Sequence, residues 1–166
     1  MNSLYRLLFL GAIVAADVVT DSADGSTFQV SATIVNSCKV SGTTLNFGGA
    51  IDPLANSGPL DTSSVLTVIC TNTTPYTVSL NAGTNSGGAS SFSSRAMKSG
   101  GHSLAYQLYT DGSRSTIWGD GSGGSSTVSG TGTGNAQALS IYGRVSSLAN
   151  VVPGNYSDTV MVTITY

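Results

Sequence analysis

Tyr156-Ser157-Asp158-Thr159-Val160-Met161-Val162-Thr163-Ile164-Thr165-Tyr166 is the stretch that decides the fold. Val160, Val162, Ile164 and Tyr166 recur every second residue and face one side, with Met161, Thr163 and Thr165 opposite. That is the period of a half-buried β-strand and not the 3.6-residue period of a helix. The chain stops at Tyr166, so this strand is expected at the edge of a sheet.

Working back, the same alternation returns in Tyr76-Thr77-Val78-Ser79-Leu80 and in Leu104-Ala105-Tyr106-Gln107-Leu108-Tyr109. Val65-Leu66-Thr67-Val68-Ile69-Cys70 is rich in β-branched residues, residues 138–145 form a further strand, and Leu45 and Phe47 lie in a short extended piece ending at Gly48-Gly49. Asn81-Ala82-Gly83, Asp111-Gly112 and Pro153-Gly154 supply turns between these runs. No segment keeps apolar residues at helical spacing for three turns. Seven or so short strands predict an all-β, immunoglobulin-like sandwich. The Gly/Ser-rich stretches 85–94 and 119–134 are expected to be surface loops that bury little.

Near the other end, Phe28-Gln29-Val30-Ser31-Ala32-Thr33-Ile34 places Phe28, Val30, Ala32 and Ile34 on one face. Such a strand either pairs within its own sheet or leaves to pair with another molecule, and periodicity does not choose between them. Before it, Arg6 precedes the apolar run from Leu7 to Ala16, too short to span a bilayer but suited to a secretory signal. Cleavage is expected after Ala16, with Ala23 as the later alternative, and no membrane insertion of the mature chain is expected.

The 166 residues fit one domain. Charged residues make up 8%, Glu is absent, and the net charge is −2, so nothing electrostatic draws the chain to nucleic acid. Gly, Ser and Thr supply 68 positions, which predicts a hydroxyl-rich surface of extracellular type. Cys38 and Cys70 are the only cysteines. In an oxidising compartment one disulfide is the simplest reading, with two free thiols as the alternative. His102 is the only histidine and is read as an exposed loop residue, so neither a metal site nor acid–base catalysis is expected, and no cofactor. Asp24, Asp52, Asp61, Asp111, Asp120 and Asp158 are read mostly as turn-capping side chains. Tyr106, Tyr109 and Trp118 could form a sugar-stacking face, although aromatics at strand spacing more often serve the core.

The order of these pieces resembles the spore coat protein U domain family and, within it, the structural subunits of archaic chaperone–usher pili. The resemblance rests on residues 28–34 four positions ahead of Cys38, Leu45-Asn46-Phe47-Gly48, Val68-Ile69-Cys70-Thr71, Arg95-Ala96-Met97, residues 104–111, Trp118-Gly119 and, most specifically, residues 153–166. It implies an incomplete immunoglobulin-like β-sandwich completed by a donor strand from a neighbouring subunit. Residues 1–16 would be the signal, 17–36 an extension carrying donor residues Phe28, Val30, Ala32 and Ile34, and 37–166 the sandwich. Val160, Val162, Ile164 and Tyr166 would form one wall of the acceptor groove. By the same resemblance a periplasmic chaperone holds that strand and its carboxylate before assembly at an outer-membrane usher. Identical or related subunits would then polymerise into a surface pilus serving attachment and biofilm, the shaft role suiting a single domain. A self-complemented secreted coat or matrix protein of the same family is the alternative.

Overall fold

The computed structural model describes residues 22–42 and 44–166. The expected signal segment, residues 1–16, lies outside the described residues. The chain divides into two units, Met1–Thr33 and Ile34–Tyr166. In the first, residues 22–33 form no strand and are exposed, including Phe28 at 87% and Val30 at 83%. Among the described residues their alternating pattern has no strand partner, and a strand without a hydrogen-bonded neighbour has no ladder to define it.

The second unit holds nine strands among the described residues: β1 (Cys38–Ser41), β2 (Leu60–Cys70), β3 (Pro75–Leu80), β4 (Ala96–Ser99), β5 (His102–Ala105), β6 (Gln107–Tyr109), β7 (Val128–Thr131), β8 (Ala136–Val145) and β9 (Val162–Thr165). One sheet has the order β1-β2-β8-β6, the second β7-β3-β9, and β4-β5 form a separate hairpin. Every strand pair is antiparallel. This is the all-β, immunoglobulin-like architecture. The longest pairing, β2 on β8, runs from Leu60↔Val145 to Ile69↔Ala136 and fixes the register of the larger sheet.

The period-two pattern turns into burial. Leu66, Val68 and Cys70 of β2 face Tyr76, Val78 and Leu80 of β3 in one core with Leu108, Trp118, Ile141 and Val145. The alternate residues Val65 and Ile69 are exposed, because a side chain one position along a strand points to the other face. A disulfide joins Cys38 to Cys70, cross-strand neighbours in β1 and β2.

Five local expectations need correction. The run 104–109 is two strands, because the chain leaves the β4-β5 hairpin at Tyr106 to join β8. Of residues 156–166 only 162–165 form a strand, since β3 is only long enough to pair there. Residues 119–134 are not all loop: β7 pairs with β3, and Ser125 is buried. Residues 85–94 hold a 3₁₀ turn, Phe92–Ser94, whose Phe92 ring is buried. His102 is exposed as expected but opens β5 instead of sitting in a loop.

Candidate functional site

β9 pairs with β3 along one edge only. The Asn81 N–H donates to the Met161 carbonyl (3.0 Å) and the Thr84 N–H to the Thr159 carbonyl (3.1 Å). Backbone groups alternate sides along an antiparallel strand. Those of residues 159 and 161 therefore point towards the 81–84 turn, and those of Val160, Val162 and Ile164 point to the opposite edge. Among the described residues no strand is hydrogen-bonded to that edge, and β1 is the strand of the other sheet that comes close to β9. The same three side chains pack against the core yet are only half-buried, whereas Val78 and Leu80 on β3 are fully enclosed. A neutral row of inward side chains along an open edge is what an added strand needs.

Ahead of β9 the edge opens into a groove. One lip is built from residues 44–51, the other from residues 151–160, and the floor from Met97, Leu104, Tyr106 and Leu108. It contains two adjoining cavities of about 370 and 390 Å³ that share Leu45, Phe47 and Met97. The first is closed below by Leu60, Val145 and Leu148, with Asn46 and Asn155 among its lining, so its walls are of mixed polarity. The second is bounded by Tyr106, Asp158 and Val160.

Tyr106 ties the two lips together. Its ring meets Phe47 edge-on, with centroids 6.4 Å apart, and its hydroxyl donates to Asp158 Oδ2 at 2.7 Å. Burial, followed by the hydrogen bond to Asp158, pushes the Tyr106 hydroxyl well above its ordinary pKa, so it stays a donor. Asp158 Oδ1 accepts from Thr84 Oγ1 (2.7 Å), Asn85 Nδ2 (3.0 Å) and the Thr159 N–H (2.8 Å). Nearby, the fully buried Arg95 donates to the Asn81 carbonyl (2.7 Å) and Gln107 Oε1 (2.9 Å) and stacks over Phe92. Burial lowers its pKa, while Tyr106 and Asp158 act to raise it. The 157–161 lip is thereby pinned to the 81–85 turn, so the groove is held open by polar bonds rather than closing onto its own apolar floor.

Of the predicted site residues, Val160, Val162 and Ile164 share one inward row, while Tyr166 lies past the end of β9 and is 56% exposed. Phe28, Val30, Ala32 and Ile34 are all exposed. The sugar-stacking face does not exist: Trp118 is completely buried, with its indole N–H donating to the Val78 carbonyl at 3.1 Å, and Tyr106 is core. Asp52, Asp111 and Asp120 cap turns as expected. Two aspartates do not: Asp61 on β2 takes both its oxygens to Arg144 (2.7 and 2.8 Å), and Asp158 lines the groove. Extending the alternation of residues 160–164 back by two would have placed Asp158 and Tyr156 on the inward row.

Residues 24–163 match the family model described as Spore Coat Protein U domain. Among solved structures, the chain is similar to one in the CsuC–CsuE chaperone–tip adhesion subunit pre-assembly complex from archaic chaperone–usher Csu pili of Acinetobacter baumannii. The likeness has a TM-score of 0.58 and 24% identity and covers 81% of this chain. This chain spans only 40% of the length of that one, and the likeness establishes the fold. No curated protein matches the chain.

Proposed function

The chain belongs to the Spore Coat Protein U domain family, and on that premise we propose that it is a structural, non-enzymatic subunit of an extracellular chaperone–usher pilus, polymerising by donor-strand complementation. The unpaired edge of β9 beside a groove floored by Met97, Leu104 and Leu108 carries this reading. An exposed strand edge in an isolated subunit is an aggregation hazard unless something pairs with it. The occupant we assign is the segment bearing Phe28, Val30, Ala32 and Ile34 of a neighbouring copy. Its row is apolar, is paired with no strand among the described residues and repeats every two residues, as the groove row does. Strand addition supplies main-chain hydrogen bonds along Val160, Val162 and Ile164, and pockets for alternate side chains. Tyr166 extends that wall. Head-to-tail exchange of this kind does not close, so it generates a filament.

The proposed organisation is a signal over residues 1–16, a donor-bearing extension over 17–36 and the sandwich over 37–166. Before assembly the same edge would be held by a periplasmic chaperone and delivered to an outer-membrane usher. The fibre would then stand at the cell surface and serve attachment and biofilm formation. Deleting residues 24–34 tests the assignment. The truncated subunit should reach the periplasm and bind the chaperone yet yield no fibres. Normal filaments from it would refute the donor role.

A further inference from the structure

Both rows repeat with period two, so hydrophobicity alone fits the donor to the groove equally well in every register shifted by an even number of residues. Two irregularities break the tie. The inward groove row reads Tyr156, Asp158, Val160, Val162, Ile164, with a single charged member. The donor row reads Phe28, Val30, Ala32, Ile34, with a single small member. We infer that Asp158 is the register mark of the groove and that Ala32 of the incoming strand lies opposite it; this rests on the strand-donation reading above.

The chemistry selects that pairing. Asp158 lines the cavity next to Tyr106 and is anchored by Tyr106, Thr84, Asn85 and the Thr159 N–H. A bulky aliphatic group set on it strips water from a carboxylate, which is costly, while a lone methyl strips the least. Every strand pair of the sandwich is antiparallel, and an antiparallel donor continues that pattern. With Ala32 on Asp158, Val30 meets Val160 and Phe28 meets Val162. Ile34 meets Tyr156 at the cavity closed by Leu60, Val145 and Leu148. A shift of two residues either way places Ile34 or Val30 on the carboxylate. Because Val160 and Val162 turn their backbone groups to the open edge, Val30↔Val160 and Phe28↔Val162 are hydrogen-bonded pairs. Their Cα atoms then lie about 5.5 Å apart, within reach of a disulfide.

The test uses the full-length chain with its native Cys38–Cys70 bond. Val160→Cys is combined in turn with Phe28→Cys, Val30→Cys, Ala32→Cys or Ile34→Cys, and fibres are oxidised mildly, boiled and run on a non-reducing gel. Val30→Cys with Val160→Cys should give a covalent ladder, roughly tenfold stronger than the other three, whose Cα atoms sit about 7 Å (Phe28, Ala32) or about 14 Å (Ile34) further along the strand. Phe28→Cys with Val162→Cys should do the same, which covers the case in which Val160→Cys fails to fold. A dominant ladder from Ala32→Cys or Phe28→Cys with Val160→Cys overturns the register but keeps strand donation. One from Ile34→Cys overturns the antiparallel pairing of Val30 with Val160 and likewise keeps strand donation. Fibres that form without a cross-link in any combination overturn both.

Discussion

Replacing Val30 by Ala should weaken the polymer and leave the single subunit untouched. In the chain as it stands Val30 is 83% exposed, so the isolated subunit has almost nothing to lose, and substitutions at such sites usually stay within about 0.5 kcal/mol. In the proposed fibre the same side chain would lie against Val160 on the groove row. Removing two buried methyl equivalents at about 0.8 kcal/mol each, plus a partial cavity term, costs about 1.5–2.5 kcal/mol per junction. At 1.4 kcal/mol per factor of ten, each junction should dissociate roughly 10–60 times more readily. Two guanidinium titrations read this out, one following fibre dissociation by light scattering and one following subunit unfolding by tryptophan fluorescence from the buried Trp118. The first midpoint should fall and the second should not. An equal fall in both would place Val30 inside its own subunit's core, and no fall in either would remove it from any interface.

Cys70→Ser should lower periplasmic yield and subunit stability, by about 3–4 kcal/mol on the loop-entropy model for a sequence separation of 32; unchanged urea unfolding would show that the cross-link is dispensable. The Ser113 hydroxyl, then the Ser115 and Thr116 backbone N–H groups, hold the Asp111 pKa below its ordinary 3.8. A carboxylate depressed in the folded state stabilises above its unfolded pKa, and that contribution fades as pH falls through the folded value. Asp111→Asn should therefore melt lower than wild type at pH 7, with the gap narrowing once the pH drops below 3.8; a gap constant with pH would mean the charge plays no part.

Period-two patterning made the sandwich legible because burial on one face of a strand writes itself into alternate residues. It failed where that signal continues across a change of partner. Residues 104–109 alternate without interruption, yet the chain switches from β5 to β6 at Tyr106, and only the pairing with β4 or β8 distinguishes them. β7 escaped notice because Val128-Ser129-Gly130-Thr131 has little apolar content of its own and is a strand only because β3 offers it an edge. The inward row of Val160, Val162 and Ile164 was readable in the alternation, whereas the groove lining came from residues distant in sequence: Met97, Tyr106 and Leu148 share no motif. Asp158 read as a turn residue because Ser157 and Thr159 flank it. Its position on the inward row became visible only once β9 was paired with β3.

The most direct test of a fold completed from a neighbouring copy is the electrophoretic behaviour of the purified full-length protein at neutral pH, with and without boiling. Strand donation predicts a ladder of SDS-resistant multimers that collapses to one monomer band on heating. A lone monomer band in both lanes, from protein that remains folded and monomeric in solution, would contradict it.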